Sequence, residues 1–183
     1  MKLNGFTYLL LSTVLLVASA CSDLNKGKQL QTLQKLETSL AEAETQNRKV
    51  NRKEITEIQS YFAYHLKRIG DSLEGKEIQK ETAHFLDSCK FLLHEINQIN
   101  QQNAFIDSSI PTTQKRIGAL KHDIQEQTGN RKMYAEYLEM ESTNVEQIAT
   151  VSKDLKKSSA EIKELAERLA RRLQDLTIHF KRP

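Results

Sequence analysis

Large apolar residues recur at alternating intervals of three and four along most of this chain, the spacing that keeps one face of a helix against a neighbour. The series is most regular in the middle: Ile78, Thr82, Phe85, Cys89, Leu92, Ile96, Ile99, Asn103, Ile106, Ile110, Thr113, Ile117, Leu120 and Ile124. Earlier, Leu33, Leu36 and Leu40 set the same spacing, and Ile55, Ile58, Phe62, Leu66, Ile69 and Leu73 resume it in a shifted phase. Between them, residues 42–53 offer only Val50 as a large apolar side chain. Later, Tyr134, Leu138, Val145, Ile148, Leu155, Ile162, Ala166, Leu169, Leu173, Leu176 and Phe180 share one seam.

The punctuation divides this pattern into three. Gly70 and Gly75 bracket Asp71 and Ser72, a turn or helix break, and Gly129-Asn130 is a C-cap followed by a turn. The pattern therefore predicts helices over 24–69, 76–128 and 131–179. Pro111 falls inside the second, but the seam passes it without slipping, which predicts one kinked helix; the alternative is a break there and four helices in all. Short connections make successive helices antiparallel neighbours. The expected fold is all-α: an elongated antiparallel three-helix bundle or coiled coil, each helix about 70–80 Å long at 1.5 Å per residue. Folding about the two turns sets Arg48 opposite Gln98 and level with Ser158 and Ser159, so three polar interruptions coincide. Such a layer sets register at some cost in stability; the other reading is a hydrated hinge or a small-ligand cleft.

The first 21 residues follow a different rule. Phe6–Val17 is predominantly apolar, Lys2 precedes it, and Ala18, Ser19, Ala20 and Cys21 follow it. A positive tip, a short apolar core and small residues are the anatomy of a secretory signal, and the run falls short of the ~20 residues that span a bilayer. Ala18, Ser19 and Ala20 fit an ordinary cleavage site that would leave Cys21 free at the new N-terminus. Val17-Ala18-Ser19-Ala20-Cys21 also resembles the lipobox of bacterial lipoproteins. That resemblance implies cleavage before Cys21, a diacylglycerol on its sulfur and an acyl chain on its amine, the palmitate-type modification of that class. Ser22 after the cysteine then favours the outer membrane. The organisation expected is a signal peptide over 1–20, a lipidated tether over 21–30 and a helical domain over 31–183.

Composition adds limits. Lys2 is the only one of the 27 basic residues inside the signal, which contains none of the 24 acidic ones, so the net charge falls from +3 to +2 on processing. Near balance gives no reason to invoke nucleic acid. Residues 151–183 are the exception, with nine basic against five acidic groups, and could face anionic lipid or polymer or could simply be a solvated helix face. With Cys21 acylated, Cys89 has no partner in the chain, and this is not a disulfide scaffold.

Chemistry is sparse. Glu81-Thr82-Ala83-His84 matches the Glu-x-x-His of di-iron bundles, but those need two such pairs and two further carboxylates, and none of His65, His94, His122 and His179 supplies a second pair. Cys89 on the seam reads as a small core hydrophobe, and His65 as a partly buried core histidine. No catalytic residue, metal ligand or cofactor is assigned. The expected function is a lipid-anchored structural or protein-interaction module of the cell envelope, held to the membrane through Cys21 and taking a protein partner or a second copy. The alternatives are a periplasmic holdase-type chaperone and a metal-binding helical-bundle enzyme resting on Glu81 and His84.

Overall fold

The computed structural model describes residues 5–75 and 77–179, with side chains from residue 25 to residue 178. Four helices account for nearly all of it: α1 (Gly5–Arg48), α2 (Arg52–Leu73), α3 (Lys80–Glu126) and α4 (Tyr134–His179), the last entered through a 3-10 turn at Arg131–Met133. No strand occurs among the described residues. The fold is an all-α helical bundle.

There are four helices, but the extra break is not at Pro111. Helix α3 runs unbroken through it, and Ile106, Ile110, Thr113 and Ile117 stay buried on either side. Pro111 faces solvent, so its ring meets no neighbouring helix. The break falls at residues 49–51, inside the stretch expected to be a single helix. Leu40, Ala43, Asn47 and Val50 keep the three–four spacing inward, but the next buried residue, Ile55, comes five positions later. The turn absorbs the odd residue. Lys49 and Val50 donate their N–H groups to the Gln46 and Asn47 carbonyls, closing α1. Asn51 then caps α2: its side-chain oxygen accepts from the Glu54 N–H at 3.2 Å while its amide donates to the Glu54 carboxylate.

The second departure is in the α2–α3 connection. Helix α3 begins at Lys80, and Ile78, placed on the seam by its spacing, is 42 % exposed. The fold point thus lies later than residues 70–75, and the register of α3 against α1 and α2 shifts with it. Asn47 meets Asp107, and Gln59 meets Asn97 and Asn100, so the Arg48–Gln98 pairing does not form.

The packing groups the chain into two compact units. The first comprises Met1–Ala41 and Ile110–Gln147. Its core joins Leu33, Leu36 and Leu40 of α1 to Ile117, Leu120 and Ile124 of α3 and Tyr134, Leu138 and Val145 of α4. Glu141 occupies a core position too, its carboxylate held by Arg116 Nε at 2.6 Å and by the Asn144 amide. At the α3–α4 turn Gln127 and Gly129 adopt positive φ, and the Tyr134 hydroxyl donates to the carbonyls of Asp123 and Thr128. A β-carbon at Gly129 would be strained by that φ and would touch the Asp123 carboxylate.

The second unit comprises Glu42–Ser109 and Ile148–Pro183. Here α2 runs antiparallel to α3 and parallel to α4, as the contacts Arg52–Asp107, Gln59–Asn97, Glu54–Lys163 and Tyr61–Ala170 show. Its core is Ile55, Phe62 and Ile69 against Phe85, Cys89, Leu92, Ile96, Ile99, Ile148, Leu155, Ile162 and Leu173. Phe180 of the expected seam, with Lys181 and Arg182, lies outside the described residues.

Candidate interaction groove

With Phe62 pointing into the core of the second unit, Ile58 and Tyr61 fall on the flank of α2 that meets α4. Opposite them α4 presents Ala166 and Ala170, whose small side chains leave the space between the helices unfilled. The result is an open groove of about 380 Å³, floored by Ile58, Tyr61, Phe62, Ala166 and Ala170. Tyr61 spans it, its hydroxyl donating to the Ala170 carbonyl at 3.4 Å, and burial of the ring pushes the phenol above its ordinary titration range.

The rim is charged. Glu54 and Lys163 bridge the helices at 2.7 Å, and that hydrogen bond raises the lysine above its usual value. Glu57 and Glu167 complete the lining. One helical step on from Tyr61, Tyr64 is 54 % exposed, with the Arg68 guanidinium donating to its hydroxyl and lying over its ring. Ile178, two turns beyond Ala170, is 51 % exposed. At the same end, the Thr177 hydroxyl already gives its proton to the Leu173 carbonyl, so it accepts from His65 Nδ1 at 2.9 Å. Burial, with the Arg68 charge nearby, depresses the titration of His65.

A second polar constellation lies in the same unit, around the end of α1. Arg52 grips Asp107 through both guanidinium nitrogens at 2.6 and 2.7 Å, the Asn47 amide donates to the same carboxylate, and this holds Asp107 below the usual carboxylate range. Ser152 donates to the Ala43 carbonyl at 2.8 Å. Four buried side-chain oxygens here, on Gln46, Asn47, Gln102 and Asn103, accept no hydrogen bond. A polar layer therefore forms where the polar stretch 42–53 meets the polar run around Gln98, but the expected α4 members stay out of it: Ser158 and Ser159 are only half-buried, and Ser159 turns back on the Leu155 carbonyl.

The remaining candidates stay apart. Glu81 and His84 are both exposed, and Arg172 reaches only the backbone carbonyl of Glu81. Among the described residues no group of three or more His, Cys, Asp or Glu is placed to hold a metal ion. Cys89 is fully buried and free, and burial pushes its thiol up to about 11. Ala18, Ser19, Ala20 and Cys21 lie outside the residues whose side chains are described. No helix among the described residues is long and apolar enough to cross a membrane.

The groove was missed from the sequence because Tyr61, Ala170 and Tyr64 are off-seam positions. The only signal was the pairing of alanine on one helix with a large aromatic on the other, which needs the register to be known first. No family model, curated protein or solved structure matches the chain.

Proposed function

We propose that this chain is a bacterial lipoprotein, processed at Ala18-Ser19-Ala20 and tethered in the cell envelope through lipid on Cys21, the outer membrane being favoured by Ser22. Its helical bundle acts there as a structural and protein-interaction module that performs no catalysis. The observation that carries the interaction role is the open α2–α4 groove, on two helices that also expose Tyr64 and Ile178. The test is a photo-crosslinking amino acid at Tyr64 in cells expressing the full chain, with a second at exposed Lys132 as control. An adduct to a defined protein, from position 64 only and in the membrane fraction, supports the reading. A chain recovered from the soluble fraction without adducts overturns it.

A holdase-type periplasmic chaperone is a second reading, favoured by the further exposed side chains Phe91, Tyr137 and Met140. It requires that the full chain keep an unfolded outer-membrane protein soluble better than an inert coiled coil does.

A further inference from the structure

We infer, on the reading that the α2–α4 groove is a docking surface, that its occupant is a basic amphipathic helix of another protein. The floor is apolar and the small, half-buried Ala170 of α4 lets another chain approach closely, which suits a helix carrying apolar residues at i, i+3, i+4 and i+7. The charge around that floor is acidic: Glu54, Glu57 and Glu167 against Lys163 alone. Lys163 is already committed to Glu54. Glu57 has an exposed i,i+4 pair with Lys53 at 3.8 Å, and Glu167 makes no ion pair within 4 Å among the described residues, although its charge is felt by Lys163. Two carboxylates thus flank an apolar slot in a chain whose net charge is +3 and whose segment 151–183 is more basic still.

Opposite charges across an interface set partner choice and approach rate more than affinity, so the rim specifies lysines or arginines beside the partner's apolar stripe. An anionic lipid surface is repelled by the same two carboxylates. A second copy is poorly suited, because its basic helix α4 spends its own apolar stripe, Leu155, Ile162 and Leu173, on its own core.

The experiment uses the full chain in phosphatidylcholine nanodiscs, with empty nanodiscs as blank, and two fluorescent 18-residue helical peptides. Both carry the same Leu and Phe stripe; one has lysine and arginine flanks and the other glutamate flanks. Saturable binding of the basic peptide only is expected. The double variant Glu57→Lys/Glu167→Lys changes two exposed residues and should keep its circular dichroism. It should weaken the basic peptide by at least about tenfold and bring the acidic one into range, as like-charge contacts replace complementary ones. Ala170→Leu, filling the slot, should abolish binding of either. Equal binding of both peptides, no binding of the basic one, or indifference to charge reversal overturns the inference. An adduct from Tyr64 to an acidic or non-helical segment would also overturn it while leaving the docking role standing. A concentration-dependent dimer of the full chain that Ala170→Leu dissolves would name a second copy as occupant and overturn it as well.

Discussion

At the scale of single residues, the unusual feature is a seam that accepts polar side chains and leaves some of them unserved. Asn103 is 6 % exposed and sits where the three–four spacing demands an inward residue, yet its carbonyl oxygen accepts nothing. A buried acceptor without a donor costs about 1–3 kcal/mol. Asn103→Leu should therefore raise stability by roughly 1–2 kcal/mol in urea unfolding, with the reservation built into any polar layer that register becomes less strictly specified. Asn47→Leu should gain less, because it also gives up the bond to Asp107. Asn103 was legible as a seam member. Glu141, Ser152 and Thr177 were not, although each lies three or four residues from its buried neighbours, because a search for apolar periodicity skips polar members. Their inward position follows only from partners elsewhere in the fold: Arg116 for Glu141, the Ala43 carbonyl for Ser152, His65 for Thr177. His65 was legible as half-buried, and its setting has a pH consequence. Its folded titration lies below the unfolded value of 6.5. The unfolded chain then takes up the proton first, so its contribution is complete above 6.5, declines as pH falls through 6.5, and levels off below the folded value. Thermal unfolding between pH 7.5 and 5 should show that decline, and His65→Gln should flatten it.

At the scale of elements, helix identity was readable wherever spacing was unbroken and failed where a single residue was added. Helix α3 is the favourable case: every seam position from Phe85 to Ile124 is buried, Pro111 notwithstanding. The unfavourable case is the polar stretch before Ile55, where the turn at residues 49–51 contains no glycine or proline to mark it. The capping pair Asn51 and Glu54 was there to be read. Asn51→Ala should cost about 1 kcal/mol, the usual worth of a side-chain N-cap, and should increase hydrogen exchange at the first amides of α2 more than elsewhere. The start of α3 offers a sharper comparison, because one spacing rule places both Ile78 and Leu92 inward. Leu92 is fully buried and Ile78 is not. Leu92→Ala should cost about 2–5 kcal/mol, whereas Ile78→Ala, in the connection ahead of Lys80, should stay within about 0.5 kcal/mol. Matching losses at the two sites would mean that the helix starts where its periodicity first predicts.

At the scale of the whole molecule, the address proposed for the first residues and the folded body are legible to different degrees. The body is all helix, and its class followed from periodicity; the groove did not, because it depends on how α2 and α4 are matched in register, which loop lengths shifted. The address rests on the order of residues alone, and the physics of attachment makes it testable. One acyl chain holds a protein only marginally, whereas two or more, each adding ~0.8 kcal/mol per buried CH₂, hold it stably. On the lipoprotein reading proposed above, membrane residence depends on the lipid carried by the sulfur of Cys21. Cys21→Ser should move the protein out of the membrane fraction while leaving its helical circular dichroism and its Leu92 core unchanged, because among the residues whose side chains are described the first core member is Leu33. Intact mass of the native protein should show a chain beginning at Cys21 and heavier than its residues by a diacylglycerol and an acyl group. If the mass matches bare residues 21–183, or the serine variant remains with the membrane, residence is owed to something other than lipid on that sulfur. An anchor lost together with the helical signal would instead mean that the first residues serve the fold, and the separation of address from body would fail.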